Sequence, residues 1–100
     1  MSSALTSKQH RFLRSRAHHL QPVVQVGDAG VSEAVIAAAD EALAHHELIK
    51  VRFQQGDKAE RRVMTESLCA GTAAHLVQEV GRIAILYRPA EDPVIQLSEA

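Results

Sequence analysis

The sequence predicts one α/β domain, a mixed four-stranded sheet packed against helices in the order α-β-α-β-α-β-β. Three observations predict it. Segments of helical periodicity alternate with short β-branched or alternating runs. The breaks between them carry their own caps, prolines or glycines. The 100 residues, 46% of them hydrophobic, suffice for a single compact core and not for a large multi-domain enzyme. A strand–helix–strand unit crosses right-handedly to a parallel neighbour, and a tight turn pairs the last two strands antiparallel, so the sheet is mixed.

Thr6-Ser7-Lys8-Gln9 reads as a capping box at the start of the first helix, with Leu5 as its staple. Up to about His19 nothing breaks that helix. Leu13, Ala17 and Leu20 share its inward side, with Phe12 at the margin. Lys8, Arg11, Arg14 and His18 share another side, and Arg16 stands outside that stripe. Gln21-Pro22 ends the helix. Val23-Val24-Gln25-Val26 is a buried strand, and Gly27-Asp28-Ala29-Gly30 turns the chain. Ser32 caps a second helix to about His45, burying Val35, Ile36, Ala39, Ala42 and Leu43 and facing Glu33, Asp40 and Glu41 outward. From Leu48 to Phe53 the residues alternate, Ile49, Val51 and Phe53 on one face and Lys50 and Arg52 on the other, which is left open to solvent. Asp57-Lys58-Ala59-Glu60 is a second capping box. Its helix runs to about Cys69, buries Val63, Leu68 and Met64, and ends with Gly71 as its cap. Segments 75–80 and 83–87 form a hairpin around Gly81-Arg82. Residues 1–4 read as a disordered start and 90–100 as a loose tail in which Val94-Ile95 can touch the core.

Composition narrows the function. Three aromatic residues (Phe12, Phe53 and Tyr87) are too few for a site of stacked rings. One cysteine, Cys69, makes no internal disulfide and suits a reducing cytoplasm. No apolar run reaches the roughly 18 residues of a membrane span, and Met1-Ser2-Ser3-Ala4 lacks the start of a secretion signal, so no membrane partner is expected. Net charge is −1, yet residues 1–26 carry +4 with no acid, and residues 27–100 carry −5. A chain polarised in this way presents a local positive field despite its neutral total. A solvated basic helix face is the plain alternative.

Two constellations invite chemistry. A glycine turn between a strand and a helix lets backbone approach a ligand, and the helix start behind it favours a phosphate. A dinucleotide site is excluded, because the Gly-x-Gly-x-x-Gly pattern and the acid ending the second strand are both missing. A simple tight turn and a Gly-x-x-Gly clamp for a nucleic-acid backbone remain, and the cationic stripe on the preceding helix adds weight to the clamp. The pairs His18-His19 and His45-His46 do not chelate one ion, since neighbours on a helix point about 100° apart. No metal, cofactor, small-molecule substrate or catalytic residue is expected, and Cys69 reads as packing.

Leu5-Thr6-Ser7-Lys8-Gln9, Arg11, Leu13-Arg14 and the run from Ala17 to Gly27 resemble the opening of a CRM domain (chloroplast RNA splicing and ribosome maturation). Gly30-Val31-Ser32-Glu33-Ala34-Val35, Glu41-Ala42-Leu43, His46-Glu47-Leu48-Ile49-Lys50-Val51 and the closing Gly81-Arg82 to Pro89 continue the likeness over residues 5–89. A single domain of this length is similar to the bacterial YhbY-type proteins. The resemblance implies a fold similar to the C-terminal domain of translation initiation factor 3. It also implies RNA binding, with precursors of the large ribosomal subunit as partner and assistance in their assembly as task. The family's glycine loop and basic surface match Gly27, Asp28, Ala29 and Gly30 with Lys8, Arg11 and Arg14. The family often has a lysine where this chain has Asp28 or Ala29, and a carboxylate there repels phosphate.

The resulting expectation is a monomeric, cytoplasmic, non-enzymatic RNA-binding module. Lys8, Arg11, Arg14 and His18 grip phosphates, residues 27–30 approach closely, and Lys50 and Arg52 extend the track. It requires the first helix and the glycine turn to lie side by side. The rival reading is a protein adaptor that docks its basic helix on an acidic partner.

Overall fold

The computed structural model describes residues 5–95 and 97. Its elements are α1 (Ser7–Ala17), β1 (Pro22–Val26), α2 (Glu33–His46), β2 (Leu48–Phe53), α3 (Lys58–Thr72), β3 (His75–Val80) and β4 (Ile83–Tyr87). The four strands form one sheet in the order β1-β2-β4-β3. β1 and β2 are parallel through α2, and the other two pairings are antiparallel. This is the mixed α/β sheet that the periodicity predicts. The expected disorder of residues 1–4 lies outside the described residues.

Local chemistry starts each helix. Thr6 accepts from the Gln9 N–H at 3.1 Å while the Gln9 side chain accepts from the Thr6 N–H at 2.9 Å, and Asp57 and Glu60 repeat the exchange at α3. Ser32 caps α2 through the Val35 N–H at 3.3 Å. Each cap satisfies donors that a helix start leaves without a partner.

The sheet has two unlike faces. Val24, Val26, Ile49, Val51, Phe53, Ala84 and Leu86 pack with Ala39 and Leu43 of α2 and Leu68 of α3. On the other face Leu48, Val77, Ile85 and Tyr87 pack with Leu13 and Ala17 of α1 and with Ile95. α1 therefore lies alone on the face opposite α2 and α3.

Two expectations for α3 are corrected. Val63 is 62% exposed rather than buried. Leu68 is buried as expected, and the inward stripe is completed by Thr65, three residues before it, and Thr72, four after. Both threonines tolerate burial because their hydroxyls donate to the carbonyls of Arg61 and Leu68, at 2.8 and 2.7 Å. Gly71 is not the cap: α3 continues to Thr72, and Ala73 ends it in the left-handed region at φ 59°. At Gly71 a Cβ would stand 3.1 Å from two carbons of Ile36, so glycine allows α3 to press against α2.

The segment after Pro89 is fastened where it is described. The N–H groups of Ala90, Val94 and Ile95 all donate to the Glu47 carboxylate, and Ile95 is 6% exposed. Residues 96 and 98–100 of the expected tail lie outside the described residues.

Candidate nucleic-acid interface

Leu13 and Ala17 are fully buried and define the inward side of α1. Arg14 and His18 lie about 100° round from them on one flank, and Arg11 lies beyond on the same flank. Arg16 and Phe12 occupy the other flank, the guanidinium carbon 5.8 Å from the ring centroid. That second flank looks toward Glu47, Leu48 and Ile95, with which Arg16 lines one groove. The Arg14 flank consequently faces the opposite end of the sheet. Lys8, Arg11, Arg14 and His18 are all exposed, with Lys8 pointing away from the sheet.

That end of the sheet is uncovered. Gln25, Arg52, Ile83 and Val80 pair in one cross-strand row on the α1 side of the sheet. Gln25, Arg52 and Val80 are exposed there, whereas Leu48, Ile85 and Tyr87 beneath α1 are buried. Lys50 is less free than the alternation predicts: its Nζ donates to the Leu20 carbonyl at 3.1 Å and is half-buried. It ties the end of α1 to β2 and keeps two further ammonium donors.

The glycine turn closes the same end. The Gly30 N–H donates to the Gly27 carbonyl at 3.0 Å, and Gly30 has φ 70°, a conformation that disfavours side chains. At Gly27 a Cβ would meet only the Gln54 Oε1 at 3.5 Å, so packing does not demand glycine there. Asp28 is turned aside, its Oδ1 accepting from the Gln55 amide. The Gln54 N–H extends the ladder to the Val26 carbonyl at 2.9 Å, and its side chain donates to Gln25 at 2.8 Å. The turn residues Gly27, Asp28, Ala29 and Gly30 themselves line a second groove with Glu60 and Met64 of α3, and the charged groups of that groove are Asp28 and Glu60. Arg52 lies on the other face of the sheet, the one that α1 covers in part.

The helix and the turn are not side by side as expected. Leu20 is held at Lys50 and the turn at Gln54, four residues on, which is about 13 Å of strand. The open row, with Arg52 in it, lies on the same side of the sheet as α1. Sequence reasoning missed Arg82. The hairpin turn brings it to this end, where its guanidinium donates to the Gln54 carbonyl at 2.9 Å and its own carbonyl accepts from the Phe53 N–H at 2.8 Å. Its position beside a tight hairpin turn was legible, but its neighbour Gln54, just past the end of β2, was not.

Neither the histidine pairs nor Cys69 form a metal or catalytic site among the described residues. His18 and His19 meet edge to face with centroids 5.5 Å apart, and His45 and His46 lie 6.3 Å apart. Among the described residues no group of three His, Cys, Asp or Glu side chains is arranged to hold a metal ion. Burial, with Glu79 and Glu66 nearby, pushes the Cys69 thiol up to about 11, which keeps it protonated at neutral pH. No helix among the described residues is long and apolar enough to cross a membrane.

Fold and surface together define a small α/β module with one sheet face half covered by a helix and half open between cations. The chain belongs to the CRS1 / YhbY (CRM) domain family, whose pattern it matches over residues 5–88. It is 43% identical over 95 residues to a protein of Haemophilus influenzae named RNA-binding protein, covering 95% of this chain and 96% of that one. It is also 43% identical to the Bacillus subtilis protein named Probable RNA-binding protein YqeI, over 88% of this chain and 92% of the relative. The solution structure of a hypothetical protein from Staphylococcus aureus superposes with a TM-score of 0.79 at 38% identity, covering 88% and 92% of the two chains.

Proposed function

We propose that this chain is a non-enzymatic, monomeric RNA-binding protein of the cytoplasm. Its target is structured ribosomal RNA in precursors of the large subunit, whose assembly it assists. The reading is supported by an uncovered patch on α1's side of the sheet, where Gln25, Arg52 and Val80 are exposed beyond the helix flank that carries Arg11 and Arg14. Arginines at one end and along the middle neutralise successive phosphates. At the far end the turn brings backbone to the sugar–phosphate chain with no side chain at Gly27 or Gly30 in the way. Asp28, held by Gln55, is kept from opposing the phosphate. Phosphate contacts orient a protein without reading bases, so recognition is by shape. The names of the relatives support RNA as the class of partner.

Sedimentation of cell extract tests this directly. The protein should travel with precursor large subunits at low salt, leave them as salt rises, and be freed by ribonuclease. A protein that stays on a protein partner after the RNA is digested refutes the reading and favours an adaptor.

A further inference from the structure

Glu47 sits between α2 and β2 with φ 63°, an unusual conformation for a side-chain-bearing residue. Its backbone is pinned on both sides. The N–H donates to the Leu43 carbonyl at 2.8 Å, and its own carbonyl accepts from the Arg88 N–H at 2.8 Å. This directs the side chain inward, and the residue is 2% exposed. A buried carboxylate is unfavourable unless its oxygens are satisfied. Here Oε2 accepts the Ala90 N–H at 2.8 Å, and Oε1 accepts those of Val94 and Ile95 at 3.0 and 2.8 Å. One side chain thereby gathers residues 90–95 into a strap across the end of the sheet.

The strap completes the seat of α1. Ile95 shares a core with Leu13, Ala17, Leu48, Val77, Ile85 and Tyr87, and Leu5, Phe12 and Leu97 pack around it. α1 has only 11 residues, two of them buried, and a helix this short is marginal without tertiary support. Its strap flank also carries Arg16, whose positive charge acts on Glu47. Arg14, two residues away, faces the open patch. The two arginines therefore stand on opposite flanks of one helix.

We infer that Glu47 is a positioning residue for RNA binding: by holding the strap it clamps α1 at the angle that turns Arg11 and Arg14 toward the uncovered face. The inference rests on the RNA-binding reading for what α1 contacts, while the clamping itself does not. Glu47→Gln keeps the shape but replaces a charged acceptor by an amide. Ile95→Ala weakens the strap from its apolar side and carries the test if Glu47→Gln fails to fold.

In the full chain, amide hydrogen exchange of α1 and of residues 90–95 should speed up about tenfold or more in either variant, as expected for loss of charged hydrogen bonds or core packing. Exchange in α2 and β2 should stay as it is. Affinity for a structured ribosomal RNA fragment should fall about tenfold at both low and high salt, with the dependence on salt unchanged because no cation is lost. Faster exchange confined to 90–95, or a loosened α1 with undiminished RNA affinity, would overturn the inference. A wild-type chain without RNA affinity refutes the parent reading, and exchange in α1 then decides the clamping alone.

Discussion

Replacing Arg11 and Arg14 together by alanine isolates the electrostatic part of the interface. Both side chains are exposed, and alanine is the better helix former, so the packing of Leu13 and Ala17 survives. Each phosphate neutralised contributes about 0.7–0.9 to the slope of log affinity against log salt. Losing two contacts flattens that slope by about 1.4–1.8. Relative to 1 M salt, this is a weakening of about 25- to 60-fold at 0.1 M and only about threefold at 0.5 M. Fluorescence anisotropy of a labelled structured ribosomal RNA fragment, titrated at stepped salt concentrations, reads both numbers. Arg16→Ala is the internal control, since Arg16 faces Glu47 and the strap; its slope should match wild type. The reasoning is refuted if the double variant loses the same factor at both salts. In that case the arginines shape the protein and do not touch phosphate.

Three further outcomes follow from the same geometry. Gly30→Ala should lower stability by about 1–2 kcal/mol through its positive φ, whereas Gly27→Ala should leave the denaturant midpoint almost unmoved and weaken RNA binding; equal RNA affinity for Gly27→Ala would remove that residue from the interface. Gly71→Val should cost about 1–3 kcal/mol in chemical denaturation, because Ile36 already stands 3.1 Å from where the Cβ would be. Burial raises the Glu47 pKa, but the N–H groups of Ala90, Ile95 and Val94 and the charge of Arg16 outweigh it and hold the carboxyl below its ordinary 4.5. A lowered folded-state pKa means stability present above about pH 4.5 and lost as pH falls through the folded value. The stability gap between wild type and Glu47→Gln should therefore be widest near neutrality and shrink in acid. A gap that is constant with pH would show that the carboxylate's charge is not what holds the strap.

The sequence by itself determined every element and its type. Capping boxes at Thr6 and Asp57 act between residues three apart, and the alternation of Ile49, Val51 and Phe53 with Lys50 and Arg52 acts between neighbours. Such signals are complete within one turn or strand, so they survive without knowledge of the rest of the chain. The cationic stripe of α1 was legible for the same reason. What only the tertiary structure decided are relations between distant segments. These include the isolation of α1 on its own face, the gap of open strand between it and the glycine turn, and the arrival of Arg82 beside Gln54, 28 residues away. Gly71 looked like a cap because a glycine near a helix end usually is one, and only the approach of Ile36 reveals its use. In the sequence Glu47 stood out only as part of the family likeness. Its three partners lie 43 to 48 residues on, and no local pattern announces that a carboxylate will be buried until the backbone donors that satisfy it have been folded around it.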